Sequence, residues 1–369
     1  MMKIALLTCG RSDYSIYYDL IKVINSDNYF DLDIISFGTH NSKFFGNTKS
    51  QIIEDGFKIA EEINTILISD QPEDISTAMG LTMIKFSNIW KKKSYDVVLA
   101  LGDRYEMFSA VLSTVPFNIN IAHLHGGETT LGAIDDIFRD CITRSSKFHF
   151  TTTETHKRRC ENILGKENNS NVFNVGAPAI DTILNIKTLT KEELFKRLDI
   201  PKISKFVLVT FHPETIKPGN NLKYTDIITK YMINHSDLDF IITLPNNDTY
   251  GEEIRSTFIN LSQLRNNIHC FDALGRLKYY SAVKHSEFIL GNSSSGIIEV
   301  ASFGKYNINI GDRQSGRTQS DNTINVSSFD ELIKAEKKIV ENSIYQGKNE
   351  YYSGGATQKI IRFLKSIKI

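Results

Sequence analysis

Acidic, basic and histidine side chains gather in short stretches that each follow an apolar run of the chain. Two of these stretches are Gly102-Asp103-Arg104 and His125-Gly126-Gly127-Glu128, and the pair Asp135-Asp136 follows shortly after the second. Carboxylates and histidines can exchange protons with a substrate near neutral pH. The pattern therefore predicts acid–base chemistry in the first half of the chain.

A second group of residues could bind a phosphate or a nucleotide. An apolar strand runs into Gly291-Asn292-Ser293-Ser294-Ser295-Gly296 and then into a helix. Backbone N–H groups and serine hydroxyls at a helix start can bind an anion. Glu299 follows within two turns, where a carboxylate can accept hydrogen bonds from ribose hydroxyls. A plain serine cap of the helix explains the same residues equally well.

Arginines in both halves of the chain predict a metal-free contact with a diphosphate. Arg11, Arg104 and Arg313 each follow an apolar run. A charge pair at about 4 Å contributes on the order of 4 kcal/mol before desolvation costs, at the effective dielectric near a protein surface. The chain has no Gly-x-Gly-x-x-Gly after the first strand and no Gly-Lys-Ser/Thr loop, so neither a dinucleotide nor an ATPase signature is present.

Structural roles are the alternatives at several of these positions. Asp103 could cap the helix that follows it, and His125 could be a histidine buried for packing. His123 and His125 would point to the same side of a strand and, with Glu128, could suggest a metal site. No further histidine or cysteine falls at a helpful spacing, so we expect no metal.

Short apolar strands alternating with amphipathic helices must position these residues. Such alternation is typical of α/β domains with a parallel sheet covered on both faces, in which ligands bind beyond the carboxyl ends of the strands. It starts afresh after Pro178, which predicts one domain over residues 1–178 and another over 179–354. The predicted strands are Lys3–Thr8, Leu32–Phe37, Tyr95–Leu101, Ile119–Leu124, Lys147–Thr151, Phe206–Phe211, Asp239–Leu244, Ile268–Phe271, Glu287–Leu290 and Asn307–Ile310.

Helices are also predicted at three further places in the sequence. Pro72 and two acids begin a helix that three lysines end at residues 91–93. The polar segment Asn185 to Lys205 is also expected to be helical, and apolar spacing from Ile360 to Ile367 predicts a terminal helix.

The composition excludes several classes of partner. The 43 Lys and Arg residues equal the 43 Asp and Glu residues, so no basic field favours nonspecific binding to nucleic acid or to a membrane surface. The apolar start is too short for a signal sequence, and no stretch is long enough to span a membrane. The four scattered cysteines lack zinc-site spacing and suit reduced thiols. We expect a cytoplasmic protein.

In combination, the motifs resemble those of the hydrolysing UDP-N-acetylglucosamine 2-epimerases of sialic-acid-type sugar synthesis. The resemblance covers essentially the whole chain. It rests on Leu101-Gly102-Asp103-Arg104, His125-Gly126-Gly127-Glu128, Ile134-Asp135-Asp136, Phe211-His212-Pro213-Glu214, the Gly291 to Gly296 stretch with Glu299, and Gly311-Asp312-Arg313-Gln314.

The resemblance implies a fold of two Rossmann-like domains facing across a cleft, as in GT-B glycosyltransferases. Residues 355–369 would be a helix that crosses back to the first domain. A homodimer or homotetramer without a cofactor is also implied.

The implied reaction converts UDP-N-acetylglucosamine to N-acetylmannosamine and UDP. A base removes the proton at C2 while the C1–O bond breaks, and water then adds to the resulting glycal. By resemblance, the acid–base residues are Asp103, His125, Glu128, Asp135 and His212. The residues that would bind UDP are Arg11, Ser15, Arg104, His212, Ser293, Ser294, Glu299 and Arg313. Some relatives have glutamate at the position of His125, so the identity of the C2 base stays open.

The substrate has alternatives. Ser69-Asp70-Gln71-Pro72 and Met79-Gly80-Leu81 resemble members that act on UDP-N,N′-diacetylbacillosamine in legionaminic-acid synthesis, and a GDP-linked sugar is also conceivable. More distant hypotheses are a glycosyltransferase, which would need an acceptor, and a nucleotide-sugar sensor without chemistry. The carboxylates of the first half argue against both.

Overall fold

The protein forms two compact units, each built on a parallel β-sheet. The computed structural model describes residues 1–165, 170–202, 204–245 and 248–367. The first unit comprises Met1–Thr129, Ile134–Thr182 and Tyr351–Ile369, and the second comprises Thr130–Ala133 and Ile183–Glu350. The sequence pattern predicts boundaries at residues 178 and 355 and gives no sign that Thr130–Ala133 belongs to the second unit.

The first unit contains a seven-stranded sheet with the strand order β3-β2-β1-β4-β5-β6-β7. Its strands are β1 (Met2–Thr8), β2 (Phe30–Phe37), β3 (Ile59–Ile63), β4 (Val97–Leu101), β5 (Ile121–Leu124), β6 (Phe148–Thr151) and β7 (Val172–Asn174). The helices are α1 (Arg11–Ser26), α2 (Lys49–Glu54), α3 (Pro72–Lys92), α4 (Tyr105–Leu112), α5 (Asp135–Arg144) and α6 (Glu154–Leu164), and α7 (Pro178–Asn185) leads out of the unit.

Alternate residues of β1 enter two different hydrophobic cores. Ile4 and Leu6 belong to one core and Ala5 and Leu7 to the other. Side chains alternate between the faces of a strand, so helices cover this sheet on both sides. Burial of both faces explains the continuous apolar run of such a strand. Polar residues lie beyond the carboxyl ends of the strands.

The second unit repeats this plan with six strands in the order β10-β9-β8-β11-β12-β13. The strands are β8 (Phe206–Thr210), β9 (Asp239–Thr243), β10 (Ile268–Phe271), β11 (Ile289–Gly291), β12 (Asn307–Ile310) and β13 (Thr323–Val326). The helices are α8 (Lys191–Leu198), α9 (Asn220–Asn234), α10 (Gly251–Leu264), α11 (Gly275–His285), α12 (Ser294–Ile298) and α13 (Phe329–Asn342).

The last helix, α14 (Ala356–Ser366), packs in the first unit. Ile360 and Leu364 are fully buried in the same core as Ile4 and Leu6. The side chain of Asp181 accepts hydrogen bonds from the first two N–H groups of α14, from Ala356 at 3.3 Å and Thr357 at 2.7 Å. The return of the chain to the first unit is therefore confirmed.

The predicted α/β class with two parallel sheets is confirmed, and all ten predicted strands exist with ends shifted by up to two residues. Three strands escaped prediction: β3, β7 and β13. Each lies at an edge of its sheet, where burial is incomplete and polar residues such as Glu61 and Asn325 are tolerated. Edge strands therefore lack the apolar run that identifies a central strand.

The helix predictions were right for α3 and α14 and only partly right for residues 185–205. There, α8 begins at a capping box between Thr190 and Glu193 and ends at Asp199, which has left-handed backbone angles. Pro201 prevents its continuation. No helix in the described part of the chain is long and apolar enough to cross a membrane.

Candidate active site

Three neighbouring strands of the first unit deliver polar residues at their carboxyl ends. β5 lies between β4 and β6, with Leu101 paired to Leu124 and Leu124 paired to Phe150. Asp103 follows β4, His125 follows β5 directly, and Thr152 follows β6 directly. The parallel arrangement therefore brings these three side chains to one edge of the sheet.

His125 and Glu128 form a buried pair. The Nδ1 atom of His125 lies 2.9 Å from Oε1 of Glu128, and both residues are almost fully buried. His125 has a positive φ of 65°, which is uncommon for a residue with a side chain. Its Nε2 atom has no hydrogen-bond partner among the described residues. A buried polar atom without a partner is costly in a folded protein and points to a functional role.

Glycine is required beside this pair. Gly127 has a φ of 75°, and a Cβ atom there would lie 2.1 Å from the backbone oxygen of His156. Any side chain at this position would push the loop away from α6. The two glycines after His125 therefore allow the loop to pack closely enough for Glu128 to reach Thr152.

Thr152 and His156 complete the surroundings of Glu128. The Thr152 hydroxyl donates to Oε1 of Glu128 at 2.8 Å. The hydroxyl oxygen of Thr152 also lies 2.8 Å from Nδ1 of His156. Both residues are buried. Neither was predicted from the sequence, although Thr152 stands at a strand end like the residues that were.

Two arginines hold the loop that carries Glu128. Arg139 donates to the backbone oxygen of Glu128 at 2.8 Å and to Asp136 at 3.0 Å, and it also pairs with Asp103. Arg159 donates to the same backbone oxygen and to Asp136 at 3.1 Å. Only 1% of the Arg139 side chain is exposed. A buried guanidinium needs several partners, and this one connects β4, the Glu128 loop and α5.

The other predicted residues that follow β4 and β5 lie at or near the starts of helices α4 and α5. Asp103 does not cap α4, whose N-cap residue is Arg104. Arg104 makes a two-pronged contact with the buried carboxylate of Glu106, with both distances at 3.1 Å. Asp135 is the first residue of α5.

At the end of β1, Arg11 begins α1. The Ser15 hydroxyl donates to the backbone oxygen of Arg11 at 2.9 Å. Nearby, the thiol and backbone N–H of Cys9 both donate to the buried Asp13 carboxylate, and burial raises the pKa of Asp13. The four cysteines form no disulfide.

His123 has a structural role instead. Its Nε2 donates to the backbone oxygen of Gly102 at 2.8 Å, and its Nδ1 lies 3.1 Å from the Thr143 hydroxyl. Burial lowers the pKa of His123 to about 3, so the ring stays neutral at physiological pH. Within the residues that the structure describes, no group of three or more His, Cys, Asp or Glu is arranged to hold a metal ion.

In the second unit, Asn292 connects three strand-end loops. Its side chain accepts from the backbone N–H of His212 at 2.7 Å and donates to the His212 backbone oxygen at 2.8 Å. The Asn292 backbone oxygen accepts from Arg313 at 3.1 Å and from Gln314 at 2.8 Å. Two predicted binding residues, His212 and Arg313, are thereby held around one asparagine.

Buried carboxylates support the same loops. Glu214 is fully buried and accepts from the backbone N–H of Asp312 at 2.5 Å. His212 lies with its Nδ1 3.3 Å from the carboxylate of Asp248. Glu214 thus holds the loop before Arg313, and the imidazole of His212 lies beside the Asp248 carboxylate.

The serine stretch contains a helix cap. The Ser293 side chain accepts from the backbone N–H of Ser295 at 3.4 Å, and the half-buried Ser294 is the first residue of α12. The capping alternative is therefore present in the structure, and phosphate binding by these serines stays a prediction.

Glu299 follows α12 and is buried against the Tyr280 hydroxyl, at 3.4 Å. Burial raises the pKa of Glu299 to about 7, because the charged carboxylate loses its hydration and the weak hydrogen bond from Tyr280 offsets only part of that loss. A ligand that donates hydrogen bonds to this carboxylate would favour its charged form.

Sequence comparisons place the chain among known proteins. The family described as UDP-N-acetylglucosamine 2-epimerase matches residues 22–365. A Legionella pneumophila protein named UDP-N,N′-diacetylbacillosamine 2-epimerase (hydrolyzing) is 32% identical over 372 residues, which cover 100% of this chain and 96% of the relative. A Campylobacter jejuni protein named GDP/UDP-N,N′-diacetylbacillosamine 2-epimerase (hydrolyzing) is 35% identical, with 93% of this chain and 89% of the relative covered.

Structural comparison agrees on the fold. The crystal structure of UDP-GlcNAc 2-epimerase from Neisseria meningitidis bound to UDP-GlcNAc has a TM-score of 0.80 at 18% identity, covering 99% of this chain and 100% of that one. Because the family match spans nearly the whole chain and both relatives exceed 30% identity, the chain belongs to the UDP-N-acetylglucosamine 2-epimerase family, within its hydrolysing branch.

Proposed function

We propose that this protein converts UDP-N,N′-diacetylbacillosamine to UDP and 2,4-diacetamido-2,4,6-trideoxymannose. The sequence predicted UDP-N-acetylglucosamine as the first choice of substrate and the diacetylbacillosamine sugar as the alternative. Two relatives at 32% and 35% identity carry the diacetylbacillosamine name, so the alternative is better supported. The reaction type is the same for both sugars.

The observation that carries the chemistry is the buried His125–Glu128 pair with Asp103 held nearby through Arg139. Removal of the C2 proton and loss of UDP leave a C1=C2 double bond, and water then adds to C1 while C2 is protonated on its opposite face. The C2 proton is weakly acidic, so the acid and base groups need fixed positions. The guanidinium contacts and the glycine loop supply that fixation in the first unit.

The nucleotide contacts are assigned to the residues that the sequence predicts to bind UDP. Ser293, Ser294, Arg313 and His212 would contact the phosphates, and Glu299 would accept from ribose hydroxyls. Arg11, Ser15 and Arg104 are the predicted phosphate contacts of the first unit, with the Arg104 guanidinium already oriented by Glu106. Charge from these groups stabilises UDP as it leaves.

The test is a comparison of substrates under one condition. Purified protein is incubated without acceptor with UDP-N,N′-diacetylbacillosamine, its GDP analogue or UDP-N-acetylglucosamine, and nucleotide and free sugar are measured. We expect the highest kcat/KM for UDP-N,N′-diacetylbacillosamine, with free 2-epimerised sugar as product. A higher kcat/KM for UDP-N-acetylglucosamine would return the substrate to the first choice, and a requirement for an acceptor would indicate a glycosyltransferase.

A further inference from the structure

We propose that Nε2 of His125 is the atom that removes the C2 proton, and that Glu128 acts by orienting His125 and not on the sugar itself. Thr152 and His156 would be positioning residues that act through Glu128. This inference rests on the proposed 2-epimerase function and identifies the base of that reaction.

The hydrogen bonds around Glu128 determine which ring nitrogen of His125 carries the proton. An ionised carboxylate only accepts hydrogen bonds. Oε1 of Glu128 lies 2.9 Å from Nδ1 of His125, so Nδ1 must be the protonated nitrogen of the neutral ring. Nε2 then has a lone pair, and this is the atom without a partner among the described residues. A neutral imidazole nitrogen with a free lone pair is a general base.

Thr152 and His156 support the charged state of Glu128. The single hydroxyl proton of Thr152 is donated to Glu128 at 2.8 Å. The Thr152 oxygen must therefore accept from Nδ1 of His156, at 2.8 Å. The chain His156–Thr152–Glu128–His125 thus has every proton directed towards the carboxylate. Two arginines on the Glu128 backbone oxygen add positive charge next to it.

Unlike Nε2 of His125, the nearby carboxylates accept hydrogen bonds from arginines. Asp103 and Asp136 both accept from Arg139, and Asp136 also accepts from Arg159. Their oxygens already have charged donors, whereas Nε2 of His125 has none. The positive φ of His125 is a further sign that the backbone conformation at this residue is specified by function and not by local preference.

The step balances without another reactant. The C2–H bond breaks and its proton goes to Nε2, the electron pair forms C1=C2, and the C1–O bond electrons leave with the β-phosphate oxygen of UDP. The Glu128 carboxylate stabilises the positive charge of the His125 imidazolium. His125 then releases its proton to solvent, while water adds its hydroxyl to C1 and a solvent-derived proton reaches C2.

His125→Gly is the decisive variant, because glycine readily adopts the positive φ of this position and leaves a space that imidazole can fill. We expect kcat to fall by about 10²- to 10⁴-fold, with UDP affinity unchanged. Added imidazole should restore turnover and solvent deuterium at C2. Turnover of His125→Gly within tenfold of the unmodified protein would overturn the proposal.

Thr152→Val tests the positioning role, with Thr143→Val as its matched control. Both threonines are buried and bond a histidine ring, but Thr143 bonds His123, which the mechanism does not use. Thr152→Val should lower kcat at unchanged KM and move the acid limb of the kcat profile to higher pH, because the Glu128 charge then acts more strongly on His125. Thr152→Ser should restore both. Equal kcat losses and unshifted profiles in both valine variants would contradict the role.

The two proposals fail in different ways. If the unmodified protein turns over none of the nucleotide sugars, the proposed function is wrong and this inference falls with it. If the unmodified protein is active and His125→Gly is equally active, only the assignment of the base is wrong.

Discussion

Burial gives Glu299 a pKa of about 7, so its proposed contact with the ribose would couple nucleotide binding to pH. Ribose hydroxyls would donate to the ionised carboxylate, so binding should release a proton and strengthen as pH rises. The dissociation constant of UDP should fall by about tenfold per pH unit below pH 7 and level off above it. Calorimetry at pH 6 to 8 measures this.

Glu299→Gln is the control for that measurement, since the terminal phosphate of UDP titrates in the same range. The variant should keep only the phosphate contribution to the pH dependence. Equal pH dependence in both proteins would contradict the ribose assignment.

The stability of the ligand-free protein should change with pH in the opposite direction. Because the pKa of Glu299 in the folded protein is raised above its usual 4.5, stability should fall as pH rises from about 4.5 through 7.

Candidate site residues could be selected from the sequence wherever a motif stood at the end of an apolar strand. Asp103, His125 and Glu128 were selected in this way, and their chemical roles stay predictions. Arg139 was missed because it lies inside a helix, where an arginine usually faces solvent. The four-residue spacing from Asp135 to Arg139 was its only signal, and nothing in the sequence shows that this helix face turns inward.

At the scale of elements, helix α5 fixes the Glu128 loop through Arg139. Arg139→Met should lower the free energy of unfolding by about 3–5 kcal/mol, because Asp103 and Asp136 would lose a buried partner. Denaturant unfolding measures the change. Arg144→Gln, at the exposed end of the same helix, is the control and should change stability by less than about 0.5 kcal/mol. Similar losses in both variants would argue against the buried network.

In the second unit, Asn292 joins the loops of His212 and Arg313. Asn292→Ala removes both side-chain hydrogen bonds to the His212 backbone, and each contributes about 1 kcal/mol. We expect UDP affinity to fall by about tenfold or more, while kcat at saturating substrate changes little because His125, the proposed base, lies in the first unit. A large fall in kcat with unchanged UDP affinity would be the opposite result.

Edge strands and short loops limited the prediction of elements. Most central strands of the two sheets are largely apolar, and all of the central strands could be located to within two residues. β3 contains Glu61 and Glu62 in five residues, so its pattern alone does not distinguish an edge strand from a loop. Pairing with β2 supplies the missing information.

At the scale of the whole molecule, the chain returns to the first unit through a helix capped by Asp181. Asp181→Ala should lower the free energy of unfolding by about 1 kcal/mol, the usual cost of losing such a cap. Asp181→Asn should lose less, since the amide oxygen still accepts one of the two bonds. Thermal unfolding compares the three proteins, and equal stability for all of them would show that Asp181 does not anchor α14.

The presence of two parallel sheets was accessible from the sequence because the strand–helix alternation restarts near Pro178. The placement of Thr130–Ala133 in the second unit was not. It depends on contacts such as the backbone N–H of Thr215 with the backbone oxygen of Gly132, at 3.2 Å. Contacts between distant parts of the chain leave no local pattern. The expected homodimer or homotetramer stays a prediction.

The proposed function requires that this chain remove the C2 proton of a UDP-linked 2-acetamido sugar and hydrolyse the bond to UDP. The direct measurement is NMR of the reaction with UDP-N,N′-diacetylbacillosamine in D₂O, without acceptor. We expect release of UDP and a free manno-configured sugar that carries one deuterium at C2. A free sugar that keeps its C2 proton and its original configuration would contradict the proposed function.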